Sequence, residues 1–257
     1  MSSFAIISDL HSNTEALEAV FADIRRMGIE DVVCLGDVIG YGPNPRECID
    51  LLLQGPKLLH CIRGNHEEAL LDESSATEFN DKARSALDWT RDQLSSDAFP
   101  WETNERYWNF IGGLPERADL EDNLFVHGSP RDPIREYLLP RDSQKPEKMR
   151  ILFERMDQPK CFVGHSHVPG IYTTGGEYYH PSDLQGGTYR CNGEKTLVNV
   201  GSVGQPRDGD VRASYVTVSG DEIRFHRVEY DFRAVMKKIY DTSGLPDYLA
   251  DRLEKGR

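Results

Sequence analysis

The chain has 257 residues, 38% of them hydrophobic, which is enough to bury one large core. Its 30 Lys and Arg residues against 43 Asp and Glu residues give a formal net charge of −13. Such a surface repels a nucleic-acid backbone, so we expect no nucleic-acid partner. The same charge favours solubility and also suits a protein that collects divalent cations.

The cysteines and the N-terminus predict a cytoplasmic protein. Five cysteines occur without a C-x-x-C pair, and an odd number without close pairs favours a reducing compartment. The first eleven residues become polar too early for a signal peptide, and no apolar run approaches the roughly 18 residues of a membrane span. We therefore expect no membrane partner. The sequence does not indicate an oligomeric state.

The first 65 residues alternate between predicted strands and helices. Strands are predicted over 4–8, 31–36 and 57–62, with helices over 13–28 and 44–55, the second capped by Asn44. This order is typical of right-handed crossovers in a parallel sheet. Asp9, Asp37 and Asn65 each directly follow one of these strands. Because open α/β sheets place their sites at the carboxyl edge, we expect these three side chains to lie together.

The remainder of the chain predicts a mixed architecture within one domain of residues 1–257. A helical, aromatic insertion is predicted over about 73–112, with Trp89 packed into a core. The patterns further predict strands near 123–130 and 160–167, a helix over 142–156, short strands over 170–228 and a helical tail over 231–257. We expect the tail to contain two helices that are separated near Gly244.

Histidines recur in the predicted turns after strands, together with carboxylate and amide side chains. Five of the eight histidines lie there: His11, His66, His127, His165 and His167. A single histidine after a strand is more often structural, but five such turns are difficult to explain by accident. Imidazole, carboxylate and amide oxygen suit Mn, Fe, Zn or Ni. Seven candidate ligands exceed the needs of one ion and fit two ions about 3.5–4 Å apart that share a carboxylate.

Five short motifs in this chain resemble those of the calcineurin-like metallophosphoesterase superfamily. In order they are D-x-H at 9–11, G-D at 36–37, G-N-H-E at 64–67, V-H-G at 126–128 and G-H-S-H at 164–167. The resemblance extends over about residues 4–207. It implies an α/β fold: a four-layer αββα sandwich in which helices flank two mixed β-sheets.

The resemblance also implies a role for each motif residue. One divalent ion, with Mn favoured, would be held by Asp9, His11, Asp37 and His167. A second would be held by Asp37, Asn65, His127 and His165, with Asp37 and a water or hydroxide as bridges. His66 would face the leaving-group oxygen as a general acid. Gly64 would permit a tight turn, and Glu67 would favour the N-terminus of the next helix.

The substrate-binding cations are less well specified. Arg63 resembles a phosphate-binding arginine of the protein phosphatases, with an ion pair to a neighbouring carboxylate as the alternative. Arg207 and Arg131 lie in loops after strands, where they either reach substrate or support a turn. The run "GDVIGY" departs from the G-D-x-x-D-R of the protein Ser/Thr phosphatases, since Gly40 and Tyr41 replace its second aspartate and its arginine.

These features predict a dinuclear metal-dependent phosphoesterase that acts on small substrates, similar to the small bacterial and archaeal members. The shortage of cations favours phosphodiesters over phosphomonoesters. Alternatives are a phosphomonoesterase or protein Ser/Thr phosphatase, a cyclic-nucleotide phosphodiesterase, and a metal-binding scaffold without activity. A nuclease is disfavoured by the net charge of −13.

Overall fold

A computed structural model of the chain describes residues 3–257, which contain twelve strands and eight α-helices. The strands are β1 (Phe4–Ile7), β2 (Asp31–Cys34), β3 (Lys57–Cys61), β4 (Arg117–Leu120), β5 (Asn123–Val126), β6 (Lys160–Val163), β7 (Gly170–Thr173), β8 (Tyr178–Tyr179), β9 (Thr188–Arg190), β10 (Thr196–Asn199), β11 (Ala213–Ser219) and β12 (Glu222–Val228). The helices are α1 (Thr14–Arg26), α2 (Pro45–Gln54), α3 (Asn65–Leu71), α4 (Asp81–Leu94), α5 (Trp101–Gly112), α6 (Pro146–Glu154), α7 (Phe232–Asp241) and α8 (Tyr248–Lys255).

The strands form two mixed sheets of six strands each. The first has the order β3-β2-β1-β11-β12-β9, and the second has the order β4-β5-β6-β10-β7-β8. Strands β1, β2 and β3 are parallel, as the sequence predicts, whereas β11 joins β1 in the antiparallel sense. In the second sheet β5, β6 and β10 are parallel. The carboxyl ends of both parallel sets carry the polar motifs.

Three clusters of buried apolar side chains pack the two sheets and the flanking helices into four layers. One cluster lies between the sheets and contains Ile6 and Val216 of the first sheet and Phe125 and Phe162 of the second. A second cluster joins the outer face of the first sheet to the flanking helices, with Leu17 of α1 among its buried members. A third packs α6 against the second sheet. The predicted sandwich of two mixed sheets between helices is therefore confirmed.

Element boundaries follow local chemistry. Helix α1 buries Leu17, Val20 and Ile24 at helical spacing, and the Asn13 side chain accepts a hydrogen bond from the Ala16 amide at 3.0 Å. Helix α2 begins with Pro45, as predicted. Asn44 occupies the N-cap position, as predicted, but in the described part of the chain its side chain makes no capping hydrogen bond.

Two other predictions differ from the structure. The helix predicted over 142–156 begins at Pro146, after a 3₁₀ turn (Pro140–Gln144) in which the Asp142 carboxylate accepts the Leu139 amide at 3.0 Å. The sequence does not predict strand β4, because its four residues are too few to show a clear alternation of apolar and polar side chains. The tail contains two helices, as predicted, and Trp89 packs partly buried against them. Over residues 3–257, no helix is long and apolar enough to cross a membrane.

Candidate metal centre

Seven polar side chains from the two sheets converge at one point. They follow β1, β2, β3, β5 and β6 in the chain: Asp9, His11, Asp37, Asn65, His127, His165 and His167. All except the partly buried Asn65 are buried. Three sets of ligand atoms each fit within 4.8 Å of one another: Asp9–His11–His167, His11–Asp37–His66 and Asp37–His127–His165. The structure thus brings together every residue that the sequence predicts as a ligand.

The first predicted ligand set lies around Asp9. The Nε2 atoms of His11 and His167 are 3.1 Å apart, and His167 Nε2 is 3.1 Å from Asp9 Oδ1. His11 Nε2 is also 3.8 Å from Asp37 Oδ2. Two imidazole nitrogens and two carboxylate oxygens therefore face one small volume.

The second predicted set lies around His127. His127 Nε2 is 3.3 Å from Asp37 Oδ2, 3.0 Å from Asn65 Oδ1 and 3.2 Å from His165 Nδ1. Asp37 Oδ2 faces donors of both sets, whereas its Oδ1 accepts the His66 amide at 2.9 Å. This geometry fits the bridging role that the sequence predicts for Asp37.

Backbone carbonyls orient four of the five histidines. One ring nitrogen of each faces a carbonyl oxygen: His11 Nδ1 to Ile39 at 3.2 Å, His127 Nδ1 to Leu35 at 2.8 Å, His165 Nε2 to Arg135 at 3.0 Å and His167 Nδ1 to Gln205 at 2.5 Å. A carbonyl oxygen accepts hydrogen bonds, so that nitrogen carries the proton. The other nitrogen faces the centre and offers its lone pair to a cation when the ring is neutral. This is the arrangement expected of metal-ligating histidines.

The two buried carboxylates at the centre, Asp9 and Asp37, require positive charge beside them. Burial alone would raise the pKa of Asp37, but His127, His66 and His11 together outweigh burial and lower this pKa below its usual range. Burial lowers the pKa of His127, yet Asp37 and Asp9 outweigh burial and raise it to about 10. A protonated imidazole thus balances two buried carboxylates. The donor set and this balance both fit divalent cations, which would replace the proton.

Backbone strain is concentrated at this centre. Eight non-glycine residues of the described chain have a positive φ, and seven of them lie at the centre or beside it: Asp9, His11, Ser12, Asp37, Tyr41, His165 and His167. The left-handed conformation costs an ordinary residue about 1–2 kcal/mol. Such a concentration is typical of a site that requires fixed geometry.

Two features hold the segment between Arg63 and Glu67. Gly64 has an ordinary φ of −94°, so the predicted reason for the glycine, a tight turn, is wrong. A Cβ there would lie 2.1 Å from Asp37 Oδ1, so glycine is required by close approach. The carboxylate of Glu67 does more than favour the helix terminus, since it accepts the amides of Asp37, Val38, Ile39 and Gly64 at 2.8–3.2 Å.

His66 differs from the other four histidines. Its Nδ1 is buried without a hydrogen-bond partner among residues 3–257. A Cβ on Gly40 would lie 2.1 Å from that atom, so no side chain fits where the protein phosphatases are expected to have an aspartate. The Tyr41 and Phe79 rings pack edge-on against His66, with centroids at 4.4 and 4.9 Å. Aromatic contacts orient this ring.

A cavity of about 120 Å³ opens beside the second ligand set. Its lining residues are Tyr41, Asn65, Glu68, Ser75, Glu78, Phe79, Asn80, Ala83, Arg135, Tyr137 and His165. Tyr137 stacks on His165 with ring centroids 3.8 Å apart, and Arg135 donates to Ser75 Oγ at 2.8 Å. Sequence reasoning did not find Arg135, Tyr137 or Phe79, which lie in loops and turns without a recognisable motif. It identified Tyr41 only as a replacement in the phosphatase motif and not as a lining residue.

The three arginines predicted to bind substrate occupy different surroundings. Arg63 pairs with Glu68 at 3.0 Å, which agrees with the ion-pair alternative. Arg131 pairs with Glu136 at the surface, and neither arginine is a lining residue of the described cavity. Arg207 lies beside the centre, with its guanidinium 5.7 Å from the centroid of the Tyr41 ring.

The chain matches a protein-family model and a relative of similar length. Residues 2–192 match a family model described as calcineurin-like phosphoesterase. An uncharacterized protein of Methanocaldococcus jannaschii is 36% identical over 267 residues, covering 100% of this chain and 99% of that protein.

Two solved structures share the whole fold. The crystal structure of a metallophosphoesterase from Sphaerobacter thermophilus has 36% identity and a TM-score of 0.81, and the match covers 100% of this chain and 99% of that one. A hypothetical protein from Pyrococcus horikoshii has 22% identity, a TM-score of 0.75 and the same coverage. At that lower identity the likeness concerns the fold.

Proposed function

The chain belongs to the calcineurin-like phosphoesterase family, and we propose that it hydrolyses small phosphate esters at a centre that holds two divalent metal ions. The observation that carries the proposal is the set of four carbonyl-oriented histidines around two buried aspartates. Asp9, His11 and His167 would bind one ion, and Asn65, His127 and His165 would bind the other. Asp37 would bind both.

The residues of the centre account for the chemistry that hydrolysis requires. When bound, two divalent ions lower the pKa of a coordinated water and neutralise charge on phosphoryl oxygens. The protein supplies a rigid frame for them, because burial and carbonyl contacts fix each ligand before substrate arrives. A covalent intermediate is not required, and none of the three ligand groups found among residues 3–257 contains a cysteine.

His66 is the proposed general acid. Its Nδ1 is enclosed beside Gly40, which leaves Nε2 as the ring nitrogen for the leaving-group oxygen. Burial lowers the pKa of His66 to about 4, so the acid role depends on the charge of the bound ester to favour the protonated ring. Proton donation of this kind typically contributes about 10²–10⁴ in rate.

The preference for diesters needs a separate argument. It was predicted because Arg63 was the one cation within the motifs. Arg63 is paired with Glu68, but Arg207 lies beside the centre and Arg135 lines the cavity. Positively charged side chains near the centre are therefore less scarce than the sequence predicts, and the proposed activity covers monoesters as well as diesters.

Turnover with and without metal tests the proposed function. The metal-stripped protein should not hydrolyse nitrophenyl monoesters or diesters, and addition of Mn²⁺ should restore hydrolysis of at least one. His66→Ala should retain both ions and lose about 10²-fold in kcat for an alkyl leaving group, but less for nitrophenolate, which needs no proton. A metal-loaded wild type that hydrolyses no ester of the panel would indicate the metal-binding scaffold instead.

A further inference from the structure

The cavity beside the metal centre lies between the second ligand set and the proposed general acid. Asn65 and His165, two of the proposed ligands, form part of its wall. Tyr41 and Phe79 also line it, and their rings pack against His66 with centroids at 4.4 and 4.9 Å. An ester whose phosphoryl group lies at the centre therefore has this cavity as the space for its leaving group.

Three aromatic rings of the lining are anchored on histidines of the centre. The Tyr137 ring stacks on His165 with an angle of 25° between the ring planes, yet Tyr137 remains 48% exposed. The rings of Tyr41 and Phe79 stand edge-on to His66, at 68° and 79°. Because aromatic side chains bind a further ring by offset stacking or edge-to-face contact, this lining suits a flat ligand.

The charged groups of the lining balance one another. Arg135 donates to Ser75 Oγ at 2.8 Å and lies 3.9 Å from carboxylate oxygens of both Glu68 and Glu78. Glu68 also pairs with Arg63 at 3.0 Å. Two arginines thus face two carboxylates. A charged ligand that entered the cavity would give up water without gaining an unbalanced partner, so the lining favours an uncharged one.

The size of the cavity limits the ligand to one ring. Its volume is about 120 Å³. An apolar cavity of about 150 Å³ is large enough to hold benzene. A second fused ring would therefore extend beyond the described cavity.

We propose that this cavity is a leaving-group pocket that binds one flat, uncharged ring. The inference rests on the proposed function and names its substrate class: phosphate esters whose leaving group is a single aromatic ring. Phe79 is the specificity-determining residue, because its ring contacts the proposed acid and not a proposed ligand. Since Phe79 directly follows the 3₁₀ turn Ser75–Glu78, the predicted insertion over about 73–112 acquires a role in specificity.

Binding of phosphonates, which are not hydrolysed, tests the pocket without turnover. Benzylphosphonate presents a flat ring, cyclohexylmethylphosphonate presents a ring of similar size that is not flat, and methylphosphonate presents no ring. We would measure the Kd of each by calorimetry with metal-loaded wild type, with Phe79→Leu and with Phe99→Leu. Phe99 is the matched control, because it is 47% exposed and is not a lining residue of the described cavity.

Wild type should bind benzylphosphonate at least about tenfold more tightly than methylphosphonate, as burial of one aromatic ring predicts. It should also bind benzylphosphonate about threefold or more tightly than cyclohexylmethylphosphonate, because aromatic contacts add to apolar burial. Phe79→Leu should lose most of this preference for the flat ring, and Phe99→Leu should retain it. Elemental analysis should find the wild-type metal content in both variants, so that a lost ion does not explain the change.

A fourth probe, 3-carboxybenzylphosphonate, tests whether the pocket excludes charge. It adds one carboxylate to the flat ring and should bind wild type at least about threefold more weakly than benzylphosphonate. Tighter binding of this probe would show that Arg135 recognises an anionic leaving group, and the uncharged substrate class would be overturned.

Two further results would overturn the inference. One is a wild type that binds benzylphosphonate no more tightly than methylphosphonate or cyclohexylmethylphosphonate. The other is an undiminished preference for the flat ring in Phe79→Leu. Neither result affects the proposed function, which the turnover assay tests independently. Conversely, intact ring selectivity in a metal-loaded protein that hydrolyses no ester would overturn the proposed function and leave a ring-binding pocket.

Discussion

At the scale of single residues, close packing restricts the side chains of the centre. Gly40 illustrates this, because its φ of +87° and its contact with His66 leave no space for a side chain. Gly40 replaces an acidic residue of the protein phosphatases, so His66 has aromatic neighbours in place of a hydrogen-bonded orienting group. The position of His66 is therefore determined by packing.

Gly40→Ala should displace His66 and reduce kcat by about tenfold or more, because a shift of about 1 Å from the reacting geometry is costly. Gly193→Ala is the matched control. Gly193 has a φ of +91°, but a Cβ there meets no described atom within 4 Å. Both variants should lose about 1–2 kcal/mol of stability from the left-handed conformation. Gly40→Ala should lose about 1–3 kcal/mol more, because its Cβ overlaps His66. Equal kcat values for the two variants would contradict packing control of His66.

A second prediction at this scale concerns metal stoichiometry. Asp37→Asn should weaken both sites, since Asp37 Oδ2 faces donors of both ligand sets, whereas Asp9→Asn should weaken mainly one. Elemental analysis after dialysis should find two ions per wild-type chain, about one in Asp9→Asn and fewer in Asp37→Asn. Two tightly held ions in Asp37→Asn would exclude the bridging role.

At the scale of elements, the loop after β2 and the start of α3 are joined by one buried carboxylate. Glu67 accepts four backbone amides from these two segments, which also carry Asp37, Asn65 and His66. Burial, and next the charge of Asp37, raises the pKa of Glu67 to about 7. A carboxylate suits this position because both of its oxygens accept hydrogen bonds, which satisfies all four amides.

Glu67→Gln should reduce the free energy of unfolding by about 2–3 kcal/mol, because a carboxamide cannot accept on both of its terminal atoms and leaves buried amides unpaired. Glu68→Gln is the control: Glu68 is the adjacent residue and forms a part-exposed ion pair with Arg63. Its loss should remain below about 1 kcal/mol. Denaturant unfolding of both variants measures the difference, and similar losses would show that Glu67 has no special structural role.

The sequence predicts the elements near the motifs better than the elements that surround the substrate. Strands β1 to β3 and their polar ends follow from apolar runs and regular spacing, so the positions of Asp9, Asp37 and Asn65 could be predicted. The cations could not, because Arg63 and Arg207 have similar loop contexts in the sequence. Their difference arises from a neighbouring Glu68 in one case and the approach of α8 in the other.

At the scale of the whole molecule, the centre joins parts of the chain that are distant in sequence. Ala86 and Trp89 of α4 pack with Val235, Leu249 and other apolar residues of α7 and α8, and Tyr41 contacts the same cluster. We propose that the insertion and the tail therefore belong to one domain with the sheets. Their shared core supports one side of the centre through Tyr41.

Each of the two sheets contributes ligands to the centre. Asp9, His11, Asp37 and Asn65 follow strands of the first sheet. His127, His165 and His167 follow strands of the second. Each proposed ion thus has ligands from both sheets, and binding would link the two halves of the sandwich. Metal should then bind the native state and not the unfolded chain, so it should stabilise the protein by mass action.

The resulting prediction concerns thermal unfolding. At a free Mn²⁺ concentration about 100 times the Kd, each site contributes about 2.7 kcal/mol. The two proposed sites together should therefore raise the Tm of wild type by about 10 °C relative to metal-stripped protein. Asp37→Asn should show a much smaller rise, because it weakens the ligand that both sites share. The metal-stripped variant should be less stable than metal-stripped wild type near neutral pH, since the lowered pKa of Asp37 shows that its charge stabilises the folded state, in part through His127. A full Mn²⁺-dependent rise in Asp37→Asn would mean that the ions bind elsewhere on this acidic surface, and the link between the sheets would have to be abandoned.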